Sequence, residues 1–167
     1  ADARVVERGA TVVAGLPSVD ECTSVEQLLD PLPAPAPQVA DAVAEQRVHL
    51  AEAYARASAG DLKTAAELGR RSHQAGVDLH DPVLQMDSAY LLALVAAEQM
   101  DHGGGYEWAK RAYLTALSVG NRGWITQTAV ERFGATVRNH ALAEARAIAD
   151  ETMVWAERGV DLDPSQT

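Results

Sequence analysis

Two carboxylate–histidine pairs, Glu45/His49 and Glu98/His102, stand four residues apart, the spacing that puts both groups of a pair on one helix face. Two such pairs facing each other would offer ligands to a divalent ion. A carboxylate-bridged metal bundle instead carries Glu-x-x-His at a spacing of three, with further carboxylates from neighbouring helices. Neither pair has that spacing, and His102 abuts a turn, so both read as solvated pairs rather than ligands. His80, in Leu79-His80-Asp81, reads as a loop histidine beside a helix N-cap. Cys22 is the sole cysteine and has no basic neighbour in sequence to favour a thiolate, so it reads as a small buried hydrophobe. No Ser/His/Asp or Cys/His order marks a nucleophile. Gly103-Gly104-Gly105 lacks the following Lys-Ser/Thr and the preceding strand of a phosphate loop, and reads as a turn. Phosphoryl transfer needs a catalytic-loop Asp and Asn and a metal-binding Asp, but neither H-R-D nor D-F-G occurs. The expectation is a non-catalytic chain without cofactor or metal.

The elements that would position these groups are helical. Of the 167 residues 47% are hydrophobic but only 5% aromatic, and alanine dominates, which favours closely packed helices. Val, Ile and Thr never alternate over a strand-length run. The net charge of −10 argues against sequence-independent nucleic-acid binding and against an anionic membrane surface. It suits either solvated helix faces or a groove that favours basic segments. A single cysteine excludes an internal disulfide and fits a reducing compartment. No apolar run approaches the roughly 20 residues of a membrane span. The chain starts at Ala1 without Met and shows no signal peptide, as an excised piece of a longer protein would. A cytoplasmic location is expected, with any transmembrane segment in the parent chain outside this piece.

In chain order, residues 1–37 read as an N-terminal region of short helices and a proline strap. A short helix over Ala1–Ala14 stops at Gly15-Leu16-Pro17. Ser24 and Gln27 suit a capping box before Leu28 and Leu29. Asp30–Pro37 reads as an extended, polyproline-like strap, because its prolines remove backbone donors. Three helix pairs are expected over 38–160, at 38–76, 82–120 and 123–159, followed by a frayed tail at 161–167. Val39, Val43, Leu50, Tyr54 and Ala57 form the apolar stripe of the first helix. Gly60-Asp61 turns the chain, and Gly76 is expected to cap the return helix. Asp81-Pro82 places an N-cap before a first-turn proline. The helix after it is apolar on most sides, which predicts a central position. In Gly104–Gly120, Ala109, Tyr113 and Ala116 share one face, made to pack on the helix before it. Trp108, Trp124 and Trp155, one per helix, read as core anchors before ligand-cage rings.

The return helices are expected to end at Gly76, Gly120 and Gly159, and Gly76-Val77-Asp78-Leu79 nearly repeats in Gly159-Val160-Asp161-Leu162. Fixed-period similarity marks supersecondary units that bury their faces on one another. Gly60-Asp61-Leu62 with Ala65, and Tyr106 with Ala109, Tyr113 and Ala116, resemble tetratricopeptide repeats over about Gln38–Gly159. The unit exceeds the roughly 34 residues of such repeats, the tryptophan and proline landmarks are missing, and Gly69 replaces a bulky residue. The resemblance implies an all-α, right-handed superhelical array of antiparallel helix pairs, an α-solenoid. Val5-Val6-Glu7-Arg8, Ala14-Gly15-Leu16-Pro17, Cys22, Leu28-Leu29 and the proline strap resemble the segment preceding repeats in myxobacterial-type eukaryote-like serine/threonine kinases. That resemblance implies a kinase parent, with this region as its interaction or sensing module.

In repeat arrays of this class the first helix of each pair lines the concave side and offers a groove to peptides. By resemblance, the candidate groove residues are Arg47, Leu50 and Tyr54; Leu91, Leu94 and Glu98; and Gln127, Val130 and Arg138. The apolar members are equally candidates for core between repeats. The expected partner is a protein or peptide, and exposed end faces make a homodimer possible. The competing classes are a helical metal carrier or enzyme, a small-ligand sensor with a cavity lined by Trp108 or Trp124, and a repeat regulator unattached to a kinase.

Overall fold

The computed structural model describes residues 31–160, with side chains as far as residue 154. The expected helix over 1–14, the Ser24/Gln27 box, Cys22, Leu28, Leu29, the Trp155 side chain and the tail at 161–167 lie outside the described residues. Residues 31–36 of the proline strap carry neither helix nor strand. Six α-helices follow, and no strand occurs among the described residues: α1 Ala40–Ser58, α2 Leu62–Asp78, α3 Pro82–Glu98, α4 His102–Val119, α5 Arg122–Arg138 and α6 Leu142–Val160.

The turns fall every 20 residues. Gly60, His80, Met100, Gly120 and His140 have φ of 84°, 54°, 61°, 81° and 58°. Each ends a helix in the left-handed conformation that exposes the last carbonyls to new donors. The following helix begins two residues further on. Asp61, Asp81, Asp101 and Asn121 accept side-chain hydrogen bonds from the N–H groups of Thr64 (3.3 Å), Leu84 (2.7 Å), Gly104 (2.9 Å) and Trp124 (2.9 Å). At the fifth turn Ala141 has no side chain for this role. The backbone N–H groups of Asp61, Asp81, Asp101 and Ala141 reach back to the carbonyls of Arg56, Gly76, Ala96 and Thr136 at 2.9–3.1 Å. One device, a left-handed residue followed by a cap, therefore sets a 40-residue helix pair.

Two glycine assignments are corrected by this geometry. Gly76 lies inside α2 and Gly103–Gly105 occupy the first turn of α4, while α6 runs to Val160, where the described residues end. The return helix of the second pair begins after Met100 rather than at Gly104, so the unequal spacing of the glycines is not the period of the fold. Gly76 serves packing instead: a Cβ there would stand 2.9 Å from the backbone nitrogen of Gln85. At Gly69 it would meet Leu92 Cδ2 at 3.1 Å. Seven residues forward along α2 match seven back along α3, so the two helices run antiparallel in close contact.

Each helix packs on its sequence neighbours, and α3 also touches α1 and α5. The expectation that α3 is central holds. Leu84, Leu91, Leu92 and Val95 join Leu50, Ala53, Ala65 and Ala66 in one core cluster, while Val83 and Met86 join Tyr113, Ala116, Ile125 and Ala129 in another. Each large apolar side chain buried there contributes about 1.5–3 kcal/mol. Ala109, Tyr113 and Ala116 are buried together as their spacing requires, but they face α5 as well as α3. Tyr106 donates to Glu144 at 2.7 Å and Tyr113 donates to Glu151, two contacts that share one sequence offset and so align α4 parallel to α6.

Candidate partner-binding face

Placed at the 40-residue period, the expected groove residues other than Leu91 fall into four rows: Arg47/Asp87/Gln127, Leu50/Tyr90/Val130, Tyr54/Leu94/Gly134 and Ser58/Glu98/Arg138. Arg47, Glu98, Gln127 and Val130 are exposed, and Tyr54, Leu94 and Arg138 are half-buried. Leu50 and Leu91 are not available to a partner: they are 2% and 1% exposed, in the cluster that joins α1, α2 and α3. On α3 the open strip is Asp87, Tyr90, Leu94 and Ala97, each half-buried and following one another at helical spacing. Moving one position, from Leu91 to Tyr90, turns a side chain by about 100° and takes it from core to surface.

Tyr54 on α1 donates its phenolic hydrogen to Asp87 Oδ1 on α3 at 2.7 Å. Tyr90 meets Trp124 of α5 edge to face, with ring centroids 5.6 Å apart. One aromatic contact or hydrogen bond thus joins each successive pair of odd-numbered helices on this face. Burial raises the Asp87 carboxyl above its ordinary value, against the lowering influence of the Tyr54 hydrogen bond and the Arg47 charge. Burial and the neighbouring Asp87 push the Tyr54 phenol well above its ordinary value, so it remains a donor at neutral pH. At the far end Arg138 lies over Gly134 and pairs with Glu131.

The other chemically suggestive groups do not converge. Glu98 is the last residue of α3 and His102 the first of α4, so they share no helix face. Among the described residues no group of three or more His, Cys, Asp or Glu side chains is placed to hold a metal ion. His80 is exposed in its turn, with Nδ1 3.0 Å from the Val77 carbonyl. A surface groove of about 500 Å³ between α1 and α2 is lined by Gln46, His49, Glu52, Leu68 and Arg71 among others, and neither Trp108 nor Trp124 reaches it. Trp108 packs against the core and against the His73 ring, centroid to centroid 5.0 Å, and Trp124 packs beside Tyr113 and Ile125. Both act as anchors of helix packing, as read from the sequence.

Sequence reasoning missed Asp87 and Tyr90. The i, i+3, i+7 relation of Asp87, Tyr90 and Leu94 was the available signal. It was masked because Leu91 and Leu92 beside them belong to an almost uninterrupted apolar run.

The fold and this face define an all-α protein built from helical hairpins, in which the first helices of successive hairpins share an open surface. No protein family, curated protein or solved structure matches the chain. Among the described residues no helix is long and apolar enough to cross a membrane.

Proposed function

We propose that this chain is a non-catalytic interaction module, a tetratricopeptide-like right-handed array of helix pairs that docks a protein or peptide segment on the face of α1, α3 and α5. The observation that carries this reading is the strip Tyr54, Asp87, Tyr90, Leu94 and Val130. It places aromatic, aliphatic and carboxylate groups side by side on three helices without closing a reaction cavity around them. The regular 40-residue period supports the array, since a left-handed residue ends the first helix of each hairpin. The kinase-linked role, in which the module targets or regulates an attached catalytic domain in the cytoplasm of a bacterium, rests on the resemblance in residues 5–37 alone.

The test is site-specific photo-crosslinking. A benzophenone side chain at Leu94 or Val130 is expected to capture a discrete partner in cells of the source organism, and the same group at Glu67 or Arg70 on α2 is not. Capture from α2 alone, or from neither face, would overturn the reading.

A further inference from the structure

We propose that Asp87, between Tyr54 and Tyr90, is the anchor for an arginine side chain of the docking partner. This inference rests on the face of α1, α3 and α5 being the docking surface, and it adds the chemistry of the occupant. Asp87 is a half-buried carboxylate that lies between Tyr54 and Tyr90 and shares its row with the exposed Arg47 and Gln127. Among the described residues Tyr54 is its one hydrogen-bond donor, through the phenol at 2.7 Å. A carboxylate has about four acceptor sites, so one phenol leaves room for a forked guanidinium. The Arg47 charge acts on Asp87 from a distance but forms no ion pair with it within 4.0 Å. Tyr90 follows Asp87 by three residues on the same face and leads on to Trp124. Aromatic faces beside a carboxylate suit a planar, weakly hydrated cation better than an ammonium. The chain as a whole carries a net charge of −10, so long-range attraction also favours a basic segment.

Hexaarginine is the probe, titrated into the 15N-labelled protein at physiological salt, with the backbone amides of 87–94 as the readout. Saturable shifts centred there are expected. Asp87→Asn keeps an oxygen for Tyr54 and removes the charge, and should weaken binding by about tenfold. Glu67→Gln, which removes an equal charge from the exposed side of α2, should change it less than about twofold, and Arg47→Gln should strengthen it. No binding, shifts scattered over all acidic surfaces, or equal losses in Asp87→Asn and Glu67→Gln would contradict the proposal. Photo-capture at Leu94 that persists undiminished in Asp87→Asn would remove the arginine anchor while leaving the docking face; loss of capture in the parent protein would remove the face itself.

Discussion

At the scale of single residues, the two informative groups titrate in opposite senses. Burial raises the Asp87 carboxyl, so the folded state binds its proton more tightly than the unfolded state. Its contribution to stability is full below the ordinary carboxylate range of about 3.9 and is lost as the pH rises through the folded value. Asp87→Asn should therefore raise the melting temperature at pH 7, with the gain shrinking on acidification. Thermal unfolding at pH 7 and pH 4 measures this, and a lower melting temperature at pH 7 would show that the charge is well solvated. His73 behaves conversely. Burial lowers its imidazole, the Gln85 carbonyl at 3.2 Å from Nδ1 opposes this, and the Arg111 charge lowers it further. Stability from neutral His73 is present above an ordinary value of about 6.5 and is lost as the pH falls from there through the depressed folded value. His73→Asn, which retains a donor near Nδ1, should reduce the drop in melting temperature between pH 7 and pH 5.5. An unchanged drop would assign the acid sensitivity to other groups.

At the scale of elements, the turns and the glycines have exchanged roles relative to the plain sequence rules. Helix ends were legible where glycine and acid stood together at Gly60-Asp61, and where acid and proline met at Asp81-Pro82. The start of α4 was not legible at Met100-Asp101, where the turn was expected at Gly103–Gly105 instead, because a left-handed non-glycine residue costs only about 1–2 kcal/mol and the returning hydrogen bonds offset it. Met100→Gly should accordingly stabilise the protein by about 1 kcal/mol in denaturant unfolding. Destabilisation would mean that the exposed Met100 side chain makes contacts of its own. Gly76 and Gly69 were misleading in the other direction, since their small size serves the approach of α2 to α3. Gly76→Ala should destabilise by about 1–3 kcal/mol despite its better helix propensity. Gly103→Ala, with nothing within 4 Å of the added methyl, should be neutral or stabilising by up to about 1 kcal/mol. Equal effects at the two sites, read by the same unfolding curves, would refute the close packing of α2 on α3.

At the scale of the whole molecule, the helical class and the central place of α3 followed from the alanine-rich composition and the apolar run Tyr90–Ala97, because burial on every side leaves that signature. The open face of α1, α3 and α5 was only half legible: Tyr54, Leu94 and Val130 lay on it, but Leu50 and Leu91 belonged to the core. Rotation about a helix axis is settled by its neighbours, which a single helix's pattern does not contain. Everything proposed for this face depends on α1 and α3 lying side by side with Tyr54 against Asp87. A double-mutant cycle of Tyr54→Phe and Asp87→Ala in denaturant unfolding at pH 7 measures that pairing. A coupling of about 1–2 kcal/mol is predicted for a half-buried hydrogen bond to a charged group. Losses that add to within about 0.3 kcal/mol would contradict the shared face of α1 and α3.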